Sequence, residues 1–312
     1  MNKSEHRRNR PSHVDCLGLG ICPLDFLFEV DKYPPAGTKI NARRLTIQGG
    51  GPVPNALVGL CRLGHRVALI TALGRDMPGQ YGLLALQREG IDMRHVVRPA
   101  GSSGVAGGFV ELGTGRRTLV FHRSVAVRPQ DVVTARLPRP RIVHLDGRDL
   151  DACVKLARWA RRIGAIVCFD IGSIRNDVSL IFPLIDHLVV AAEFALPYTA
   201  SRSARRAIER LRLQCPGTIV VTEGVRGAIG FEQGRFVRSR AFKVPEADTT
   251  GAGDAFHAGY IYGLLHDFDL AARLEFGAAV AALSCTRVGA RAGLPILSDV
   301  WRFLKGKPRR YA

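Results

Sequence analysis

Short apolar runs alternate with helix-like stretches along this chain, and that alternation limits the fold more than any other feature. The runs are Val14–Leu19, Val67–Ala72, Ile142–Leu145, Ile166–Asp170, Leu188–Ala192 and Thr218–Thr222. The helix-like stretches lie roughly at Asn55–Leu63, Gln80–Glu89, Asp151–Ile163 and Ser203–Leu213. Near-continuous apolar strands must be covered on both faces. The pattern therefore predicts an α/β fold, a three-layer α/β/α sandwich around a mostly parallel central sheet. Two stretches break the rhythm: Phe26–Ile47, with its Pro34-Pro35 turn, and Val105–His122, which reads as a hairpin around Leu112-Gly113-Thr114-Gly115. Both are expected to form strands outside the main sheet.

Composition excludes several classes. Hydrophobic residues make up 46% of the 312, enough for a buried core, and no apolar run is long enough to cross a bilayer. Residues 1–12 are polar and basic with no secretory apolar segment, so a disordered tail and a cytoplasmic location are expected. Residues 13–305 read as one domain, and 306–312 as a frayed end. Cys16, Cys22, Cys61, Cys153, Cys168, Cys215 and Cys285 are odd in number and never spaced C-x-x-C, the pattern of free buried thiols. The net charge of +18 comes from 45 basic against 27 acidic residues. Its densest cluster, Arg202, Arg205, Arg206, Arg210 and Arg212, has the spacing of a solvated helix face, and no basic strand interleaved with aromatics stands out. Nucleic-acid and membrane partners are therefore not expected; attraction of anionic small molecules is.

Chemistry concentrates at Asp248-Thr-Thr-Gly-Ala-Gly-Asp254, which runs into the apolar pattern Ala255, Phe256, Ala258, Ile261. Small residues entering a helix leave amide N–H groups unpaired, and the helix dipole adds positive character, so the site suits phosphate or a developing anion. Asp254, in the first turn, can cap the helix or take a proton from an attacking hydroxyl. Gly253 is expected to need glycine geometry. A second glycine-rich turn, Gly49-Gly50-Gly51, precedes Asn55, which has a donor and an acceptor for a sugar hydroxyl or can serve as a cap. No Gly-x-x-x-x-Gly-Lys-Ser/Thr occurs, which excludes a P-loop nucleotide site.

These motifs resemble the two signatures of the ribokinase, or phosphofructokinase B (pfkB), family of carbohydrate kinases. The likeness runs from about Val14 to Leu304. It implies that Gly251, Ala252 and Gly253 form the anion hole and that Asp254 is the catalytic base. It places Asp25, Gly50, Gly51 and Asn55 at the sugar, and Thr222, Gly224, Gly227, Gly251, Gly253 and Ala278 at ATP. The strands within 26–48 and 103–122 become a small β lid that also joins a homodimer. Magnesium is implied with ATP, Glu193 contributing to its site, and a potassium site at Asp248 and Thr250 is implied by some members.

The chain departs from the family at Ala191, where the asparagine of an Asn-x-x-Glu motif is missing. Pro52 and Pro54 stand where small or polar residues are common, and Pro23 replaces an asparagine of ribokinase, which counts against ribose. Stretches such as Arg117-Thr118-Leu119 and His144-Leu145-Asp146-Gly147-Arg148 resemble the ketohexokinase and sulfofructose kinase branches. They imply a ketohexose-like substrate, with an anionic group if Arg148 faces the pocket rather than pairing with Asp149 or Asp151. A nucleoside kinase and a non-catalytic sugar-binding regulator are the alternatives.

Overall fold

The computed structural model describes residues 13–113, 116–173 and 177–305. The expected tails at 1–12 and 306–312, and the tip of the second hairpin at Thr114-Gly115, lie outside the described residues.

The apolar runs become the middle of a nine-stranded sheet. In spatial order its strands are β13 (Arg235–Ser239), β12 (Ala228–Glu232), β11 (Thr218–Thr222), β10 (His187–Ala191), β9 (Ile166–Ile171), β8 (Arg139–Leu145), β1 (His13–Leu19), β4 (Val67–Ala72) and β5 (Asp92–Val97). From β11 to β5 every pairing is parallel, while β12 and β13 add antiparallel. Residue alternation sorts the strands onto two cores. Leu17, Leu19, Val143, Leu145, Val167, Phe169, Val190 and Val221 face one core with α3 (Leu150–Arg162), α4 (Ala192–Tyr198) and α5 (Ala204–Leu211). Cys16, Ile142, Cys168, Val189 and Val220 face the other, with α1 (Pro52–Arg62), α2 (Met77–Arg88), α6 (Ala252–Leu265), α7 (Leu270–Ser284) and α8 (Leu297–Leu304). A period of two on every central strand is what a sheet covered twice requires. Ala192, expected at the end of a strand, instead opens α4. Helix α6 is buried from Ala255 to Leu265, as a helix apolar on nearly every face must be.

The lid is a separate four-stranded sheet in the order β3 (Arg44–Gly49), β2 (Leu24–Val30), β6 (Val105–Glu111), β7 (Arg117–His122). Two hairpins far apart in sequence meet through the parallel pair β2–β6. β2 begins two residues before the expected lid segment, so Asp25 stands on a lid strand and not in a loop after β1.

Of the arginine cluster, Arg205 and Arg212 of α5 and the turn after it stack over Phe236 and Phe231, at 4.2 and 3.8 Å from the ring centroids. Part of that charged face thus packs on the sheet edge. All seven cysteines are free; six are buried and Cys61 is half-buried. Among the described residues no helix is long and apolar enough to cross a membrane.

Candidate active site

The carboxyl ends of the parallel strands and the lid converge on one crevice, where open α/β sheets place ligands. The turn into α1 shows why three glycines stand in a row. A β-carbon on Gly49 would collide with the guanidinium of Arg291, and one on Gly50 would lie 2.6 Å from Oδ2 of Asp25. Gly51 takes φ +97° with the Ile21 carbonyl against it. Two glycines seat charged side chains on bare backbone, and the third makes a turn open to glycine.

The loop into α6 has the same economy. Gly251 caps the helix in the left-handed region, φ 77°. The requirement for glycine geometry falls here and not at Gly253, whose backbone is helical and whose added β-carbon would meet nothing within 4 Å. The open space at Gly253 is the cavity itself.

Asp254 stands half-buried in the first turn of α6, next in sequence to Gly253. Its carboxylate is not spent on helix amides: among the described residues its one hydrogen bond is from Asn55, Nδ2 to Oδ2, at 2.7 Å. Arg291 in turn donates from Nε to Asn55 Oδ1 at 2.7 Å and from Nη2 to the Gly50 carbonyl at 3.0 Å. Burial and the neighbouring Asp170 push the Asp254 carboxyl well above the usual carboxylate range; Asn55 and Arg291 pull the other way.

Asp170 and Asp25 act on it, and Asp146 shares the charge of Arg148 with Asp170. Burial raises Asp25 to about 6 against the opposing charges of Arg291 and Arg117. Asp146, just past β8, is also raised to about 6 by burial, although it accepts from the amides of Ile21 (2.9 Å) and Arg148 (3.0 Å). Asp170, at the end of β9, goes the other way. Burial would raise it, but the charge and hydrogen bond of His257, at 3.3 Å, hold it below the usual range. The His144 ring lies 5.2 Å from that of His257, and burial lowers the His144 pKa to about 3.

Arg148 is half-buried, and its charge acts on Asp146 and Asp170. Asp149, one partner in the surface alternative, accepts from Arg123 at 2.7 Å and from the Val127 amide at 2.9 Å. From the lid, Arg117 donates to Thr250 Oγ1 at 2.8 Å, tying β7 to the loop before α6.

Beside this charged crevice opens a cavity of about 1030 Å³ lined by Thr222, Gly224, Gly227, Ala252, Gly253 and Ala278, among others. Every residue expected at ATP reaches its wall except Gly251, which sits one residue behind it, packed on Ala290. Gly227 (φ 93°) lies against the Ser239 carbonyl, bringing the turn after β11 onto the strand end. The one carboxylate in the described lining is Glu246. Glu193 is exposed in the first turn of α4, outside that lining. Asp248 accepts from the amides of Thr250 (2.8 Å) and Gly289 (2.9 Å), so it ties two loops together. Asp76 does comparable structural work, capping α2 and accepting from the Ser103 amide at 2.8 Å.

Sequence reasoning did not single out Asp170, His257 or Arg117 as site residues. Asp170 closes an apolar strand and His257 lies in an apolar helix, so only the polar exception to each pattern could have flagged them.

The chain matches the pfkB family of carbohydrate kinases over residues 13–297. It belongs to that family. A nucleoside kinase of Methanothermobacter thermautotrophicus is 27% identical over 292 residues, covering 90% of this chain and 92% of the relative. An ATP-dependent ribose-1-phosphate kinase of Halopiger xanaduensis is 29% identical over 304 residues, covering 93% and 98%. The crystal structure of a ribokinase from Thermotoga maritima shares the fold, with a TM-score of 0.83 at 22% identity, covering 94% of this chain and all of that one. The pfkB protein described here is therefore a carbohydrate or nucleoside kinase, a phosphotransferase on a ribokinase-like fold.

Proposed function

We propose that this enzyme transfers the γ-phosphoryl group of ATP to a hydroxyl of a sugar or sugar derivative, with Asp254 as the base. The observation that carries the reading is the half-buried carboxylate of Asp254 in the first turn of α6, beside amides that open into the cavity and with a proton affinity raised by desolvation. ATP would lie along the turn after β11 and the α6–α7 wall, its terminal phosphate at the amides of the Gly251–Asp254 turn. Asp254 accepts the hydroxyl proton as the oxygen bonds to phosphorus and the bond to the ADP oxygen breaks. The amides of the turn take up charge on the transferring group, and positioning supplies much of the remainder.

Magnesium would neutralise phosphate charge. One carboxylate in the described lining, Glu246, with Glu193 exposed in the first turn of α4, suits an ion that keeps its waters and leans on substrate phosphates. The intact Asp254 and the open space over Gly253 favour catalysis over a regulator that only binds sugar.

On the sugar side, Asp25, Asn55 and the bare Gly50–Gly51 backbone would hold hydroxyls. Arg148, half-buried among site carboxylates, favours a substrate with a phosphate, sulfonate or carboxylate remote from the attacked hydroxyl, because its planar fork matches such groups. The exposed Phe28, Leu45, Ile47, Leu119 and Val120 of the lid support pairing of two copies there, which size and mass in solution would test.

ADP release measured over a panel of neutral ketohexoses, pentoses, their phosphorylated or sulfonated derivatives and nucleosides tests the reading. Turnover with a sugar derivative supports it. Turnover with nucleosides alone moves the substrate, and no turnover with any acceptor removes the kinase reading. In the same assay, Arg148→Ala should raise KM about tenfold for the anionic substrate and spare neutral hexoses; equal loss on both sinks the anionic assignment.

A further inference from the structure

We infer that Arg291 is a positioning residue for phosphoryl transfer: through Asn55 it fixes which oxygen of Asp254 is left for the substrate hydroxyl. The inference rests on Asp254 being the base. Arg291 comes from the loop after α7 and is held at its root. Its own carbonyl accepts from Arg62 Nη1 at 2.7 Å, and the preceding Ala290 amide donates to Gln48 Oε1 at 3.0 Å. Arg62 is itself pinned by Glu89 at 2.7 Å. The guanidinium then lies on the bare Gly49 backbone, where a β-carbon would displace it.

From that seat it donates to Asn55 Oδ1 at 2.7 Å and to the Gly50 carbonyl at 3.0 Å, with the buried Cys22 thiol also against it. The first has a consequence for chemistry. An asparagine amide has nearly the same shape either way round, and which end faces which neighbour is set by the neighbours' own donors and acceptors. Guanidinium offers only donors, so Asn55 must present its oxygen to Arg291 and its NH2 to Asp254. The Asn55 NH2 then holds Asp254 Oδ2 at 2.7 Å. Among the described residues no hydrogen bond reaches Oδ1, and that oxygen is the one available to a hydroxyl proton. The same loop contacts both halves of the site: the Gly289 amide donates to Asp248 at 2.9 Å, and Ala290 packs on Gly251. Residues 289–291 thus staple the glycine turn before α1 to the anion-hole turn before α6.

Asp254 is faced by Asp170 from β9, Asp25 from the lid, Asn55 from α1 and Arg291 from the loop, with His257 one turn along α6. Burial, Asp170 and Asp25 raise its proton affinity; Asn55 and Arg291 lower it. Loss of Arg291 should therefore move the acid limb of the kcat/KM profile to higher pH as well as slow turnover.

The test compares Arg291→Ala and Arg291→Lys with the parent for kcat, both KM values, pH profile and Tm. The alanine variant should lose roughly 10–100-fold in kcat, the scale of a misplaced reacting group, with KM for ATP little changed. Its acid limb should move up, and added guanidinium should restore part of the rate. The lysine variant keeps the charge without the fork and should fall between the two. If the alanine variant does not fold, the lysine variant decides alone. A folded variant with kcat within twofold and an unmoved limb overturns the inference, as does a lowered Tm with slow turnover, an unmoved limb and no rescue, which would make Arg291 a loop anchor only. Asp254→Asn is the separate control: if it stays active the base assignment fails, whatever Arg291 shows.

Discussion

The two halves of the crevice are built from different materials. The half proposed for the nucleotide is a cavity of about 1030 Å³ where Gly224, Gly227, Ala252, Gly253 and Ala278 leave backbone open, with Arg226, Arg238, Arg240 and Lys243 also in its lining. The half proposed for the sugar is a mesh of charged and polar side chains: Asp254 feels Asp170, Arg291 and Asp25 and is bonded by Asn55, while Arg148 acts on Asp146 and Asp170. The small residues of the first would let phosphates meet amides and a helix terminus. The second works by holding charges against their own preference for water, which raises proton affinities where a base is needed. One half should therefore break by adding bulk, and the other by removing charge.

The largest effect belongs to the charge half. Asp254→Asn should lower kcat by roughly 10²–10⁴-fold, the usual contribution of a general base, with ATP affinity nearly unchanged. It should also raise Tm at neutral pH by a few degrees. A buried carboxyl whose folded pKa is raised costs stability as pH climbs from its unfolded pKa through the folded one, and the amide has no such cost. Near-parental turnover would remove Asp254 from its role.

Next comes bulk in the nucleotide half. Gly253→Val should lose about 3 kcal/mol of transition-state stabilisation, comparable to losing an oxyanion donor, while Tm changes little because an added β-carbon meets nothing within 4 Å. Gly251→Ala should do the reverse, lowering stability by about 1–2 kcal/mol through its left-handed φ and its contact with Ala290. Kinetics and thermal melts on the pair distinguish them; if both variants lose only stability, the loop is no more than a helix start.

The smallest effect is at the lid. Asp25 is raised to about 6, so sugar binding should weaken as pH falls through that value and the carboxylate takes a proton. Asp25→Asn should raise KM for sugar about tenfold, the loss of one charged hydrogen bond, and flatten that pH dependence between 5 and 7. A pH dependence equal to that of the parent would assign it to Asp146, which is raised to a similar value.

The nucleotide half was legible because its work is local. Gly251 to Asp254 are consecutive, and a small-residue turn entering an apolar helix announces an anion site without reference to the rest of the chain. The central strands were legible for a similar reason, since double burial writes itself into each run. The polar additions were not. Asp170 and His257 sit inside segments whose periodicity asks for apolar residues, and β12 and β13 at the sheet's edge carry no comparable continuous signal. Gly253 was assigned a conformational need that belongs to Gly251, because sequence shows where glycines are and not which of them turns.

What the chain determined by itself is therefore the layered α/β sheet, the two glycine-rich turns and the carboxylate at the head of α6. The tertiary structure alone decided that the lid is sewn from two distant hairpins through β2 and β6, that Arg117 spans from it to Thr250, and that Arg291 meets Asn55 from 236 residues away in sequence. The physical reason is range. Burial period, turn geometry and helix polarity act within a few residues and leave a mark in order, whereas a charge is paired, desolvated or shifted by whatever the folded chain brings within a few ångströms of it.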